Sequence, residues 1–258
     1  MVKKVVIAAA GQGTRMLELS KDKSKHLIEV KDRPFLAYLL DNLLSAGYRE
    51  LILVVGFKVE LMEDFVNFYE APKGIFKKDY KITIVNQTEI LGPKEKEYGT
   101  ACPVKCVENI IGDENFIYLY GDNLFSVQDL KSMNIDDSFC YVAGLKHSNP
   151  EKYGVLIKDG DDFLEKIIEK PREFVGDLIN AGLYKFTADV FEKISEIKKS
   201  IRGEYEITDA ISLLANDKKV KIRIIKDFWL DFGSPDDIKR VSDFLKDGAD
   251  KVFTKKTG

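Results

Sequence analysis

The chain opens on an apolar run, Val5-Val6-Ile7-Ala8-Ala9-Ala10, that breaks into Gly11-Gln12-Gly13-Thr14-Arg15. A short buried strand that ends in a glycine pair and a fixed cation presents backbone N–H groups to a phosphate. The two best-known versions of that turn are excluded. A dinucleotide fingerprint needs a small residue where Met16 stands, and a Walker loop needs a Gly-Lys-Ser/Thr that never occurs. What stays is a phosphate cradle of another kind with an arginine built into it. On these residues alone, a tight turn carrying a surface charge fits equally well.

Short apolar runs alternate with amphipathic stretches along the chain, which predicts a mainly parallel sheet flanked by helices. After strand 4–10, a helix over 34–46 begins at Pro34 and stops at Gly47, following the proline-first, glycine-last asymmetry. Strand 51–55, a helix over about 58–70, strand 81–86, a helix near 101–110 and strand 116–120 follow, the last ending in Gly121-Asp122-Asn123. Beyond this point 139–146 and 153–168 read as strands, the second turned at Asp159-Gly160 like a hairpin. Helices are expected at 188–198, capped by Thr187, and at 206–216, then a strand at 220–225. Ser234-Pro235-Asp236-Asp237 opens a last helix, with Ser234 as its cap, running to Lys246 and ended by Gly248. The polar tail 249–258 is expected to fray, and 90–98 reads as a flexible loop placed to act as a lid.

At 258 residues the chain fits one large α/β domain or two intimate subdomains. Its 40 basic and 43 acidic residues leave a net charge of −3, which provides no global attraction for nucleic acid or acidic membranes. Cations do crowd positions 15–33. Cys102, Cys106 and Cys140 have no metal-ligand spacing and read as buried thiols in a reducing compartment. No signal peptide or membrane-length apolar run is evident, so a cytoplasmic location is expected. His26 and His147 are too few for a histidine metal site, and His147, beside Ser148-Asn149-Pro150, reads as a loop residue.

Two acids directly follow apolar strands: Asp122, and Asp231 within Trp229-Leu230-Asp231-Phe232-Gly233. Carboxylates at the C-terminal edge of a sheet commonly hold nucleotide-bound Mg²⁺, which takes one or two protein carboxylates and phosphate oxygens. Asp122 capping a turn and Asp231 pairing with a lysine is the alternative. Arg15, Lys25, Lys170 and Arg202 all stand beside turn chemistry, lysine as a point charge and arginine as a two-oxygen grip. For a sugar, Glu169, Tyr153-Gly154 and Asn180-Ala181-Gly182 offer acceptors, donors and close backbone approach.

In these residues the chain resembles the sugar-1-phosphate nucleotidylyltransferases, especially glucose-1-phosphate thymidylyl- and uridylyltransferases. The likeness runs nearly end to end, in order: AAAGQGTRM, SKHLIEVKDRP, GTA at Gly99–Ala101, YGDN at Tyr120–Asn123, YGV at Tyr153–Val155, IIEKP at Ile167–Pro171, NAGLY at Asn180–Tyr184, RGEYEITD at Arg202–Asp209, and WLDFGSP at Trp229–Pro235. It implies a Rossmann-like, doubly wound, mixed but mainly parallel sheet with a small sugar-binding β subregion. Residues 1–123 would form the nucleotide half, 124–233 the sugar-phosphate half, and 234–258 a C-terminal helix and tail. It further implies that Ala10, Gly11, Gln12, Gly13 and Thr14 bind the nucleotide, and that Arg15 and Lys25 hold its phosphates. Gln87, Gly99 and Thr100 would meet the base, and Asp122 and Asp231 would bind Mg²⁺. Lys170 and Arg202 would hold the sugar phosphate, and Tyr153, Gly154, Glu169 and Asn180 the sugar.

The reaction so implied joins a nucleoside triphosphate to a sugar-1-phosphate and releases pyrophosphate. Gln87 leans toward a pyrimidine, since one amide both donates and accepts, so UTP or dTTP with glucose-1-phosphate is the expected pair. Mannose-1-phosphate guanylyl transfer, cytidylyl transfer and a non-catalytic nucleotide-sugar sensor are the alternatives. The family is usually oligomeric. Ser24 and Glu29 replace prolines usual in it, the segment from Gln87 to Gly99 is longer than in thymidylyl enzymes, and no β-helix repeat follows the last helix.

Overall fold

Strand β1 (Lys4–Ala9) lies near the middle of a mixed sheet, between β4 (Glu50–Val55) and β6 (Phe116–Tyr120), and is parallel to both. The computed structural model describes residues 1–11, 13, 16 and 19–253, without the side chains of 247–253. Successive β1 side chains enter opposite cores: Val5, Ile7 and Ala9 one cluster, Val6 the other. β4 and β6 divide in the same way, which is why all three strands are nearly continuous in apolar residues.

Between β1 and β4 run the short antiparallel pair β2 (Glu29–Val30) and β3 (Arg33–Pro34) and helix α1 (Phe35–Ala46). α1 buries Phe35, Leu36, Leu39, Leu40, Leu43 and Leu44, and Gly47, at φ +103°, closes it by donating to Leu43 and Leu44 carbonyls. Helix α2 (Val59–Phe68) then leads to β5 (Lys81–Asn86), parallel to β4. Short helices α3 (Gln87–Leu91), α4 (Cys102–Lys105) and α5 (Glu108–Ile111) precede β6, and β7 (Asn123–Phe125) and α6 (Val127–Ser132) follow it.

The second half is built on β8 (Cys140–Lys146), the hairpin of β9 (Gly154–Lys158) and β10 (Leu164–Glu169), and β11 (Leu178–Phe186). Helices α7 (Asp189–Glu196) and α8 (Ile207–Asn216), strands β12 (Val220–Ile224) and β13 (Trp229–Asp231), and helix α9 (Pro235–Phe253) complete it. Among the described residues nine strands form one sheet, in the order β10-β9-β11-β6-β1-β4-β5, with β8 joining β11 to β12. β11 runs antiparallel to β6 and fuses the halves. β1 leads outward to β4 on one side and has β6 on the other, so the switch point of the winding lies between β1 and β6. The expected mixed, mainly parallel, doubly wound α/β sheet is therefore present.

Several local expectations need correction. Residues 101–110 are not one helix. Cys102, Val104, Cys106, Val107 and Ile111 are all buried, a spread no single helical face supplies, and the chain breaks at Val107 (φ −111°, ψ 4°) to place them. Part of the expected loop 90–98 is the end of α3, which Asn86 caps by accepting from Thr88 N–H while its amide donates to Glu89. That loop's other end is tied down, since Tyr98 carbonyl accepts from Tyr205 N–H at 2.8 Å.

Thr187 does not cap α7. The cap is Ala188, and the Thr187 hydroxyl faces Cys140 Sγ. Ser234 does not cap α9 through its hydroxyl, which instead donates to Asp237. That carboxylate also accepts Gly233 and Ser234 N–H. α9 passes through Gly248 to Phe253, because glycine within a helix costs only about 1 kcal/mol and stops it only by turning left-handed. The remainder of the tail, 254–258, lies outside the described residues. Strands β7 and β11 and helix α6 had no counterpart in the expected elements. In β11 the pattern is hidden by a bulge between Asn180 and Tyr184, where Gly182 takes φ +73°.

One glycine fixes the site's outer wall. A Cβ on Gly99 (φ +137°) would lie 2.3 Å from the carbonyl oxygen of Tyr205, backbone against backbone. Gly99→Ala is therefore expected to lower the unfolding free energy by about 2 kcal/mol or more, read as the shift of a urea unfolding midpoint. A variant as stable as the parent would show that the two segments separate freely.

Candidate functional site

Gly121 N–H donates to the Ala8 carbonyl at 2.9 Å, so the chain leaving β1 and the chain leaving β6 emerge side by side. A cleft of about 270 Å³ opens there. Ala10, Gly11, Lys25, Gln87, Gly99, Thr100 and Asp122, all singled out from the sequence, line it. Gly13, at φ +67°, lets Lys25 pack against the turn, since a Cβ there would lie 2.8 Å from that of Lys25. Gln12, Thr14 and Arg15 lie outside the described residues. Gln87 is buried, and its Oε1 accepts no hydrogen bond among the described residues. A larger groove of about 830 Å³ between α1 and α2 contains none of the other candidate residues and no Asp122 or Asp231.

The floor of the cleft is charged in pairs. Lys25 and Asp122 form an ion pair, their side chains only 13% and 24% exposed. Burial alone would raise the Asp122 carboxyl, but the Lys25 ammonium outweighs it, with His26 assisting, and the group stays below its ordinary value. His26 is fully enclosed on the turn Lys25–Leu27, with Nδ1 2.7 Å from Ser24 Oγ and its ring against Gly121. Ser24 therefore holds this histidine. Burial and then the Lys25 charge bring His26 down to about 3, so it is neutral at ordinary pH.

The sugar-side candidates gather across β10, β9 and β11. Glu169 pairs with Gly154, and a Cβ on Gly154 would lie 3.0 Å from Glu169 Oε2 and 3.8 Å from Asn180 Cβ. Asn180 Nδ2 donates to Tyr184 OH at 2.8 Å, while its Oδ1 accepts Gly182 N–H at 3.1 Å. Lys170 follows at φ +43°, its N–H on the Tyr153 carbonyl at 3.0 Å. Tyr153 packs edge-on against Trp229 and His147, with centroids 5.6 and 4.9 Å away, so His147, in the loop after β8 as expected, also joins an aromatic trio. Arg202 is bound to Glu206, and Glu169 is among the charges that act on it.

Asp231 comes from β13, directly opposite Asn123 of β7, and the next residue, Phe232, donates its N–H to the Asp122 carbonyl at 2.7 Å. Phe232 stacks on Phe35 of α1 at 4.3 Å, which holds this segment to the core. Asp231 pairs with Arg240 of α9 and not with a lysine. Two acids on adjoining segments, one already neutralised by Lys25 and the other by Arg240, suit a small divalent cation that also takes phosphate oxygens. No third acid, histidine or cysteine joins them among the described residues.

The sequence pointed to neither Tyr98, Tyr118 nor Tyr120, all of which line the cleft. Tyr118 OH donates to the Thr100 carbonyl at 2.6 Å and Tyr120 OH meets Tyr184 OH at 3.3 Å. The i, i+2 spacing of two tyrosines in a strand was the available signal. Arg240 had none. No helix among the described residues is long and apolar enough to cross a membrane.

The nucleotidyl transferase family matches residues 4–248. A bifunctional sugar-1-phosphate nucleotidylyltransferase/acetyltransferase of Sulfurisphaera tokodaii is 33% identical over 99% of this chain, which spans 58% of that protein's length. The UTP–glucose-1-phosphate uridylyltransferase AglF of Haloferax volcanii is 33% identical over 90% of this chain and 92% of its own. A solved UDP-glucose pyrophosphorylase, complexed with UDP-glucose, shares the fold at a TM-score of 0.80 and 24% identity, over 96% of this chain and 100% of that one.

His26 yields a pH test. The unfolded chain takes up a proton near the usual 6.5, whereas the folded chain resists it until about 3. Its contribution is therefore complete above 6.5 and is lost progressively as pH falls toward 3. Between about pH 7.5 and 5 the unfolding free energy should fall by roughly 2 kcal/mol on this account. His26→Gln should flatten that slope in urea titrations, and an unchanged slope would remove the burial argument.

Proposed function

We propose that this chain, which belongs to the nucleotidyl transferase family among the sugar-1-phosphate nucleotidylyltransferases, joins UTP or dTTP to glucose-1-phosphate. The products are the NDP-sugar and pyrophosphate. The observation that carries this reading is the meeting of Gly11, Lys25, Gln87 and Asp122 in one cleft, with Asp231 on the adjoining strand. Residues 1–123 serve the nucleotide and 124–233 the sugar phosphate, the two halves sharing one sheet.

The triphosphate lies along the turn after β1, with backbone N–H groups and Arg15 on its phosphates. Lys25, paired with Asp122, would supply a point charge to a phosphate oxygen. Asp122 and Asp231 would hold Mg²⁺, which when bound would neutralise charge on the phosphates near the reacting phosphorus. Gln87 offers its unpartnered Oε1 and its amide N–H groups to the base edge, a donor–acceptor pair that suits uracil or thymine. Tyr153, Gly154, Glu169 and Asn180 bind the sugar, and Lys170 and Arg202 its phosphate.

An oxygen of the sugar phosphate attacks the α-phosphorus in line, the bond to the bridging oxygen breaks, and pyrophosphate departs with that electron pair. The attacking oxygen is already anionic, so no base is needed, and neutral His26 is not asked to be one. The task is to bring two polyanions together and hold them aligned.

The decisive assay is pyrophosphate release over a matrix of five nucleoside triphosphates and several sugar-1-phosphates, with and without Mg²⁺. UTP or dTTP with glucose-1-phosphate should be fastest, and only with the metal. Asp122→Asn, which preserves shape, and Arg15→Ala should each lower kcat by about 10²–10³ with an unfolding midpoint near the parent's. Release from no pair would overturn the reading, and wild-type rates in either variant would overturn that residue's role.

A further inference from the structure

Arg202 is not a loose cation at the edge of the sugar subsite. Its Nε and Nη2 both donate to Oε1 of Glu206, at 3.2 and 2.8 Å. The Glu206 side chain is 8% exposed and that of Arg202 is 52% exposed, so the acid is the buried anchor and the guanidinium projects from it. Ser200 Oγ donates to the same Oε1 at 3.1 Å, and Thr100 Oγ1 donates to Oε2 at 3.4 Å. Thr100 lines the nucleotide cleft, and its hydroxyl accepts Ile207 N–H at the start of α8.

A buried carboxylate stripped of its cation is strongly unfavourable, so Arg202 does not leave Glu206 to meet a substrate. It has no need to. The guanidinium is a rigid planar fork of N–H donors, and Glu206 occupies only the Nε side of it. Nη1, and the second hydrogen of Nη2, donate to no partner among the described residues, and they form the edge that can grip two phosphate oxygens at once.

We propose that Glu206 is a positioning residue for sugar-phosphate binding: it fixes the Arg202 fork so that the Nη1–Nη2 edge meets the phosphate, and through Thr100 it joins that grip to the wall of the nucleotide cleft. The inference rests on the reading of Arg202 as a sugar-phosphate ligand. Glu206 touches no substrate, so its effect should run through Arg202 alone.

Steady-state kinetics with glucose-1-phosphate and UTP test this. Glu206→Ala should raise KM for glucose-1-phosphate by about tenfold or more while KM for UTP moves less than about threefold. Glu206→Gln should stay within about threefold of the parent on both, since its amide oxygen accepts from Arg202 and its amide N–H donates to Thr100. Arg202→Ala should raise the sugar-phosphate KM by itself, and adding Glu206→Ala to it should change little further. If Glu206→Ala does not accumulate folded, Glu206→Asp, which withdraws the carboxylate by one methylene, is held to the same thresholds. A raised KM in Arg202→Ala with an unchanged one in Glu206→Ala overturns the positioning role and leaves Arg202 its own. An unchanged KM in Arg202→Ala, or a wild type that turns over no pair, overturns the underlying reading and this inference with it.

Discussion

The register of β1 against β6, with Ala8 opposite Tyr120, is the constraint from which the site follows. Parallel neighbours present their C-terminal ends at one edge, and at the switch point the chain leaves those ends in opposite directions, opening a crevice. The glycine turn and Asp122 are the first residues past those ends. A one-residue slip would turn Ile7 and Ile117 from one core to the other, which both buried faces forbid. The packing that holds the sheet together therefore also sets where Gly11 and Asp122 stand relative to each other. β13 reaches the same place by a separate route, clipped to β7 and stacked through Phe232 on α1.

Charge is organised by the same economy of neighbours. Three acids at the site carry a protein cation: Asp122 has Lys25, Asp231 has Arg240, and Glu206 has Arg202. The pairings differ in consequence because they differ in burial. Lys25 and Asp122 line a cleft, where in the proposed reaction a polyanion and its counterion would offer both partners a replacement. Glu206 is enclosed, so its arginine would stay bound and turn its remaining donors outward. On that reading two similar ion pairs would serve as an exchangeable contact and a fixed one.

How legible this was in the sequence depends on how local each cause is. β1, β4 and β6 were plain because burial on both faces leaves an unbroken apolar run, and Gly47 was plain because its left-handed turn is a single-residue matter. The candidate residues were legible as strings, since the glycine turn, Asp122 after β6 and Asn180-Ala181-Gly182 each sit where backbone chemistry demands them. What was not legible depends on partners distant in the chain. Arg240 meets Asp231 only because α9 folds back, Thr100 reaches Glu206 across more than a hundred residues, and β11 was missed because the glycine at its bulge makes room for a tyrosine on another strand. The helix-end errors had a nearer cause. A serine before a proline invites a capping role, but the Ser234 hydroxyl is engaged as a donor to Asp237.

That tyrosine shows how the two halves are kept in step. Gly182 has no side chain because Tyr120 occupies the space, a Cβ there falling 2.6 Å from its ring. Tyr120 OH meets Tyr184 OH, which accepts from Asn180, so one chain of contacts runs from the cleft beside β6 to the candidate sugar-binding residues within a single sheet. Burial pushes the Tyr184 phenol up to about 12 and raises those of Tyr118 and Tyr120 well above the ordinary value, so the chain keeps its protons and its polarity. In-line transfer between two anions relies on alignment more than on any one reactive group, and alignment is lost with small displacements. A hydrogen-bonded strand pair with its hydroxyls locked in the neutral form resists such displacement better than two domains joined by a hinge. In the proposed reaction, the shared sheet is the element on which alignment of the two substrates would depend.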